Sequence, residues 1–365
     1  MRDIALVAAV LAAALVGFRR PAFGMLTFAF LGFLNPQSFT WGFGRTFPLS
    51  QVVAISTILG TFLSSERKRL PNQRETWLLV LLWGMFALSS FFAFYPDEAF
   101  ARLIAISKIL LMIVIGMVIL NSEERLHSLI RVIGYSLGFY GLKGGVFAVM
   151  SGGGFMVFGP EESFLEANNS IGLALAMNIP ILLYLLKTEQ NKWLRRILKA
   201  MLGFSYPAIV CTYSRGAWIG MVVVTLLSVL KSKRKFTMVA SSAIVGVILV
   251  MVFPLIAPER LVGRYDQLVE YQDESSAQSR FWNWEFCKRI GMARPLTGGG
   301  FNFTSIENYQ RYYPEFLERW PNTQWTCHST WLTIFGEHGF PGAILWLSLL
   351  GCCFSSLRQI RRYGR

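Results

Sequence analysis

Long apolar runs recur along almost the whole chain, and short basic linkers separate them. Inside a bilayer every backbone N–H and C=O must be satisfied within the segment, so runs of this kind fold as helices. A spanning helix needs about 20 apolar residues, fewer where flanking side chains snorkel. Candidate spans fall approximately at 4–18, 21–40, 48–63, 76–95, 100–120, 126–150, 170–186, 195–213, 216–230, 236–256 and 329–357. The expected fold class is an all-α polytopic membrane protein of about eleven transmembrane helices (ten to twelve) with one long structured outer loop.

Composition agrees. The 365 residues are 53% hydrophobic and only 15% charged, with a mean hydropathy of +0.45. A soluble domain of that length needs far more surface charge. The 35 Lys and Arg exceed the 21 Asp and Glu, for a net charge of +14. In a soluble protein that surplus would point to nucleic acid. Here it falls in linkers such as "SSERKRLPNQRE", "KTEQNKWLRR", "KSKRK" and "RQIRRYGR", which reads as the positive-inside signal and not as nucleic-acid binding. Linkers 64–75, 187–199, 231–235 and 358–365 then face the cytoplasm. The opposite face carries the amino terminus, "YPDE" at 95–98, "SGGGFMVFGPEES" at 151–163, the Ser214–Arg215 turn and residues 257–327.

Ile4 to Phe18 reads as a first span, because a basic n-region and a small-x-small cleavage site are both missing. The five cysteines show no C-x-x-C spacing, which gives no support to a zinc or redox motif. Cys287 and Cys327 can pair only if their segment faces an oxidising compartment. P-loop, H-E-x-x-H and dinucleotide signatures do not occur, so neither a metal, a nucleotide nor another cofactor is expected.

Three divisions follow: helices over 1–256, an outer loop domain over 257–327, and a last span with a basic tail over 328–365. The loop contains "RYDQLVEYQDESSAQSRFWNWEFCKRI" and "NYQRYYPEFLERWPNTQW". Its aromatic residues either stack on sugar rings or form the loop's own small core. Long structured loops are usually functional.

Arg215, Arg280 and His328 all fall on that outer side. Guanidinium groups give planar bidentate hydrogen bonds to phosphate oxygens, and an imidazole takes a proton from a hydroxyl near neutral pH. Each has a plainer alternative. Arg215 suits an interfacial anchor, Arg280 a partner for Glu274 or Glu285, and His328 a helix start without chemistry. Arg102 and Lys108, about 9 Å apart along one helix, would extend a phosphate site inward or snorkel. Lys143 lies in an apolar stretch, and Glu337 is read as a packing or supporting group. Pro341 and Gly342 should kink the last helix. "TGGGFNF" at 297–303 reads as a tight turn near the donor or a phosphate cradle, and 152–154 as a flexible turn.

The words around these residues carry a resemblance. "TYSRGAWIG", then "SRFWNWEFCKRIGMARPLTGGGFNF", then "HSTWLTIFGEHGFPGAILW" resemble, in order, the signature blocks of the O-antigen ligase and polymerase superfamily. "EANNSIGLALAMNIPILLYL" is similar to the family's Asn-containing span, and the amino-terminal part, with "FLNPQSFTWG", looks most like the O-glycosylation ligases associated with exosortase systems. The resemblance implies a periplasm-facing enzyme of a bacterial inner membrane. Its donor would be a glycan on undecaprenyl diphosphate, and its acceptor a hydroxyl of lipid A–core, a protein or a growing glycan. By motif position Arg215 and Arg280 would engage the diphosphate and His328 would be the base, with no metal or nucleotide sugar. A transporter of lipid-linked glycans is the rival from another class.

Overall fold

The computed structural model describes residues 1–66, 68–231 and 280–363. Among them every regular element is helical. A helix coincides with each candidate span except 236–256, which lies outside the described residues, as do 257–279 of the loop and Glu274. Pro96–Ile119, Glu123–Met150, Asn168–Thr188 and Thr330–Arg362 are long and apolar enough to cross a membrane. Pro21–Leu34, Leu49–Leu63 and Arg215–Leu230 are shorter apolar helices.

The chain divides into two compact units that cut across the three linear divisions. The first unit holds α1 (Arg2–Arg19), α2 (Pro21–Leu34), α3 (Phe43–Thr46) and α4 (Leu49–Leu63). It also holds α7 (Glu123–Met150), α8 (Asn168–Thr188), α9 (Lys192–Val210) and α10 (Arg215–Leu230). The expected span 21–40 is shortened, because Asn35 turns left-handed (φ 45°) and Pro36 opens a separate 3-10 turn. α9 starts with Lys192, Arg195, Arg196 and Lys199, so its apolar part begins a turn later than expected.

Glycine spacing sets the packing of α7. Gly134, Gly138, Gly141 and Gly145 share one helix face. A Cβ on Gly138 would meet Met201 Sδ at 2.8 Å, on Gly141 Ser205 Oγ at 2.2 Å, and on Gly145 the Phe204 carbonyl at 2.0 Å. Small residues of this kind let membrane helices approach backbone to backbone. Where α7 ends, Gly152 turns left-handed (φ 58°), with Gly153 N–H on the Ala148 carbonyl (2.8 Å) and Gly152 N–H on that of Val149 (3.1 Å). This is a Schellman cap, and it replaces the flexible turn expected at 152–154.

The second unit holds α5 (Arg74–Phe91), α6 (Pro96–Ile119), a helix over 280–293 (α11), α12 (Ile306–Tyr312), α13 (Pro314–Arg319) and α14 (Thr330–Tyr363). α5 runs antiparallel to α14. Ser356 Oγ donates to Glu75 Oε1 (2.5 Å) at one end, and Ser89 Oγ meets His338 Nδ1 (2.6 Å) at the other.

α14 is not one rod. Gly339 is non-helical (φ 65°, ψ −164°), and the Trp331 and Trp346 rings lie 4.6 Å apart. A straight helix would separate those residues by about 22 Å, so the chain folds back at Gly339. The kink expected from Pro341 and Gly342 is thus a sharper reversal, seated just before the proline.

The glycine run explains how this break is tolerated. Pro341 has no N–H for the Glu337 carbonyl, and Gly300 N–H supplies one at 2.9 Å. Phe340 N–H turns away to the Pro295 carbonyl (2.8 Å), and Gly299 N–H serves the Gly336 carbonyl in its stead (2.7 Å). With Gly298 N–H on the Arg294 carbonyl (2.8 Å), all three glycine donors are engaged. That excludes the phosphate cradle. "TGGGF" is a staple across a broken helix.

Candidate functional site

In the first unit, Arg215 opens α10 directly after a tight turn. Ser214 caps the helix, its Oγ accepting from Ala217 N–H (3.3 Å), and Tyr213 is left-handed (φ 52°). The turn is fixed from several directions. Asn168 Nδ2 donates to the Thr212 carbonyl (2.9 Å), Val157 N–H to that of Cys211 (2.8 Å), and Trp218 Nε1 to that of Val210 (3.0 Å). Tyr213 Oη donates to the Gly153 carbonyl. Ala217 packs into the core formed by Ile171, Leu175, Ile179, Ala208 and Ile209. The Arg215 side chain is exposed at a helix amino terminus, where the helix dipole adds to its positive potential.

The same end of this unit carries an ionic latch. Arg45 meets Glu161 at 2.6 Å and Glu162 at 3.2 Å, and Asn35 Nδ2 donates to the Glu161 carbonyl (3.2 Å). Lys143 has a structural partner, its Nζ lying 5.2 Å over the Phe39 ring.

In the second unit, the described loop aromatics build their own core. Phe286 stacks on Tyr309 (3.8 Å) and Tyr309 on Phe316 (4.4 Å), with Trp282 on Tyr313 (5.7 Å). Tyr309 Oη reaches Asn283 Oδ1 (3.2 Å) and the Trp325 carbonyl (3.0 Å), and burial pushes its phenol pKa well up. Glu285 is held by Lys288 and Arg289, both at 3.3 Å; of the two alternative partners for Arg280, Glu285 makes no ion pair with it and Glu274 lies outside the described residues. Arg280, the first residue of α11 that is described, is exposed.

Cys287 and Cys327 form a disulfide with a Cα–Cα distance of 6.1 Å. His328 follows at once. It is exposed and left-handed (φ 47°), two residues before α14 begins at Thr330. Arg280 lies seven residues from Cys287 on the same face of α11, so its Cα is within about 20 Å of that of His328. Both side chains extend from that framework.

The other two of the three histidines are occupied. His338 is buried between Phe86 (4.4 Å) and Phe301 (4.6 Å) with Ser89 Oγ on Nδ1. His127, in the first unit, meets Tyr184 Oη (3.1 Å). Glu337 lies 3.7 Å from His338 Nε2 and takes a backbone hydrogen bond from Asn302, with Arg102 as its nearby cation. It therefore supports the break in α14. Lys108 is exposed midway along α6. Among the described residues no group of three or more metal-ligating side chains converges.

Sequence reading missed Asn168 as the clamp on the Arg215 turn, and the pocketing of His338. A polar residue opening an apolar helix was the available signal for the first. The second depends on contacts 249 residues apart.

Helices of this length and apolarity mark a multi-pass membrane protein. Residues 200–347 match the O-antigen ligase family, and residues 1–190 match a family of unknown function (DUF5935). Over residues 200–347 the match supports membership of the O-antigen ligase superfamily. That domain supports a membrane glycan ligase or polymerase of glycosyltransferase type, and the family implies a lipid-linked glycan donor. No curated protein and no solved structure matches the chain.

Proposed function

We propose that this protein is an O-antigen-ligase-type glycosyltransferase of a bacterial inner membrane. It moves a glycan from undecaprenyl diphosphate to an acceptor hydroxyl, on lipid A–core or on a protein Ser or Thr, at the periplasmic face. The observation that carries the reading is the exposed His328, joined through one disulfide to the helix that carries Arg280. A disulfide suits an oxidising compartment, which supports the periplasmic side.

The acceptor oxygen attacks the anomeric carbon as the bond to the diphosphate oxygen breaks, with inversion at that carbon. His328 takes the hydroxyl proton, a role worth about 10²–10⁴-fold. Arg215 and Arg280 stabilise charge developing on the departing diphosphate, and electrostatic stabilisation of this kind usually lowers the barrier more than any other effect. Arg102 and Lys108 are assigned lesser parts in drawing the diphosphate inward, and Arg102 shares its charge with Glu337. The reaction needs no metal and no nucleotide, and membrane lipid surrounds the donor's tail.

The test is transfer by purified protein in detergent, with chelator present, from undecaprenyl diphosphate glycan. Lipid A–core and a Ser-rich protein are offered separately. Product on one of them is expected and names the acceptor. A lengthened lipid-linked glycan with neither acceptor used would make the protein a polymerase. Donor bound without any product would favour a transporter.

A further inference from the structure

We propose that the Cys287–Cys327 disulfide is a positioning element for His328, setting the rate of proton removal and not the affinity for donor. This rests on the reading of His328 as the base.

His328 occupies the left-handed region (φ 47°), where an L side chain is strained and stays only if its surroundings force it. The side chain supplies no such force, since His328 makes no hydrogen bond, ion pair or ring contact among the described residues. Residues 323–329 have no regular structure either. The conformation must then be imposed through the backbone, from both sides.

On the carboxyl side the constraint is the start of α14, where Thr333 N–H donates to the Ser329 carbonyl (2.8 Å). On the amino side it is Cys327, 2% exposed and bonded to the fully buried Cys287. Cys287 sits in one core with Phe286, Ile290 and Phe303, so the tether is anchored in a buried aromatic core. The next hydrogen bond upstream is at the Trp325 carbonyl, with Thr326 and Cys327 between it and His328. The same disulfide joins His328 to the face of α11 that bears Arg280, two turns away. One covalent link therefore sets both the orientation of the imidazole and its distance from a cation.

Breaking the link should leave the donor's cations in place and loosen only the base. Reduction by a dithiol is balanced by thiol–disulfide exchange: the dithiol closes to its own disulfide, and Cys287 and Cys327 each gain a proton and become thiols.

The experiment compares wild type with the double variant Cys287→Ala/Cys327→Ala in the transfer assay over a range of donor concentrations and pH. Expected is a fall in kcat of tenfold or more, a donor KM within twofold of wild type, and a shifted pH–rate profile. An unchanged kcat would overturn the proposal, and so would kcat, KM and the thermal melt deteriorating together. If the variant does not fold, folded wild type reduced with dithiothreitol in micelles takes its place, with loss of the disulfide verified by mass. A second readout needs no activity: labelling of His328 by diethyl pyrocarbonate should change at least threefold when the disulfide is absent. If wild type transfers nothing to any acceptor, the functional reading fails, while the labelling still decides whether the disulfide holds His328. Unchanged labelling would sink the idea.

Discussion

Tyr213, two residues before Arg215, and His328 itself both lie in the left-handed region, with φ of 52° and 47°. Strained backbone of this kind gathers where a side chain must be aimed. The Arg215 turn shows how the aim is held: Asn168, from another helix, grips the Thr212 carbonyl at 2.9 Å. Asn168→Ala should cost about 1 kcal/mol of stability, the net worth of one hydrogen bond, yet lower kcat severalfold. Melting and transfer assays on the same preparation check this. Arg215→Lys keeps the charge and loses the planar fork. A drop of at least tenfold in transfer is expected, and full turnover in that variant would remove the bidentate part of the account.

At the scale of elements, two sets of glycines do different work. Those of α7 allow close packing, and those of 298–300 close a broken helix. Gly300 has φ 81°, and a Cβ there would stand 2.2 Å from Ala93 Cβ. Gly300→Ala should therefore destabilise by about 2–4 kcal/mol. Gly84→Ala is the control, since nothing lies within 4 Å of its missing Cβ, and there a gain of roughly 0.5–1 kcal/mol is expected. Thermal melts of the two variants separate these outcomes. pH acts on α11 through Glu285. Burial raises its pKa, but hydrogen bonds from Arg289 and Lys288 outweigh that and lower it below 4.5. Its contribution to stability is thus present above pH 4.5 and lost as pH falls further. Glu285→Gln should flatten that acid limb in a melt-versus-pH series.

For the whole molecule, periodic hydropathy and basic linkers made the helices legible, because both signals are local. The Arg215 turn was legible for the same reason, lying between two apolar runs. The reversal at Gly339 was not. Pro341 advertised a kink, but its position and sharpness depend on N–H groups of Gly299 and Gly300, some 40 residues earlier and invisible to any local pattern. The grouping of α5 and α6 with the carboxy-terminal helices was hidden likewise, since Ser356–Glu75 and His338–Ser89 are contacts between distant segments. Orientation can be measured directly. In spheroplasts an impermeant maleimide should label Glu161→Cys and spare Lys192→Cys. The reverse pattern would invert the assignment of faces.

The most direct test of the central claim is the transfer rate of His328→Ala against wild type, with donor binding measured on the same preparations. A fall of about 10²–10⁴-fold with binding retained is predicted for loss of a general base. A variant that transfers at the wild-type rate would contradict the account.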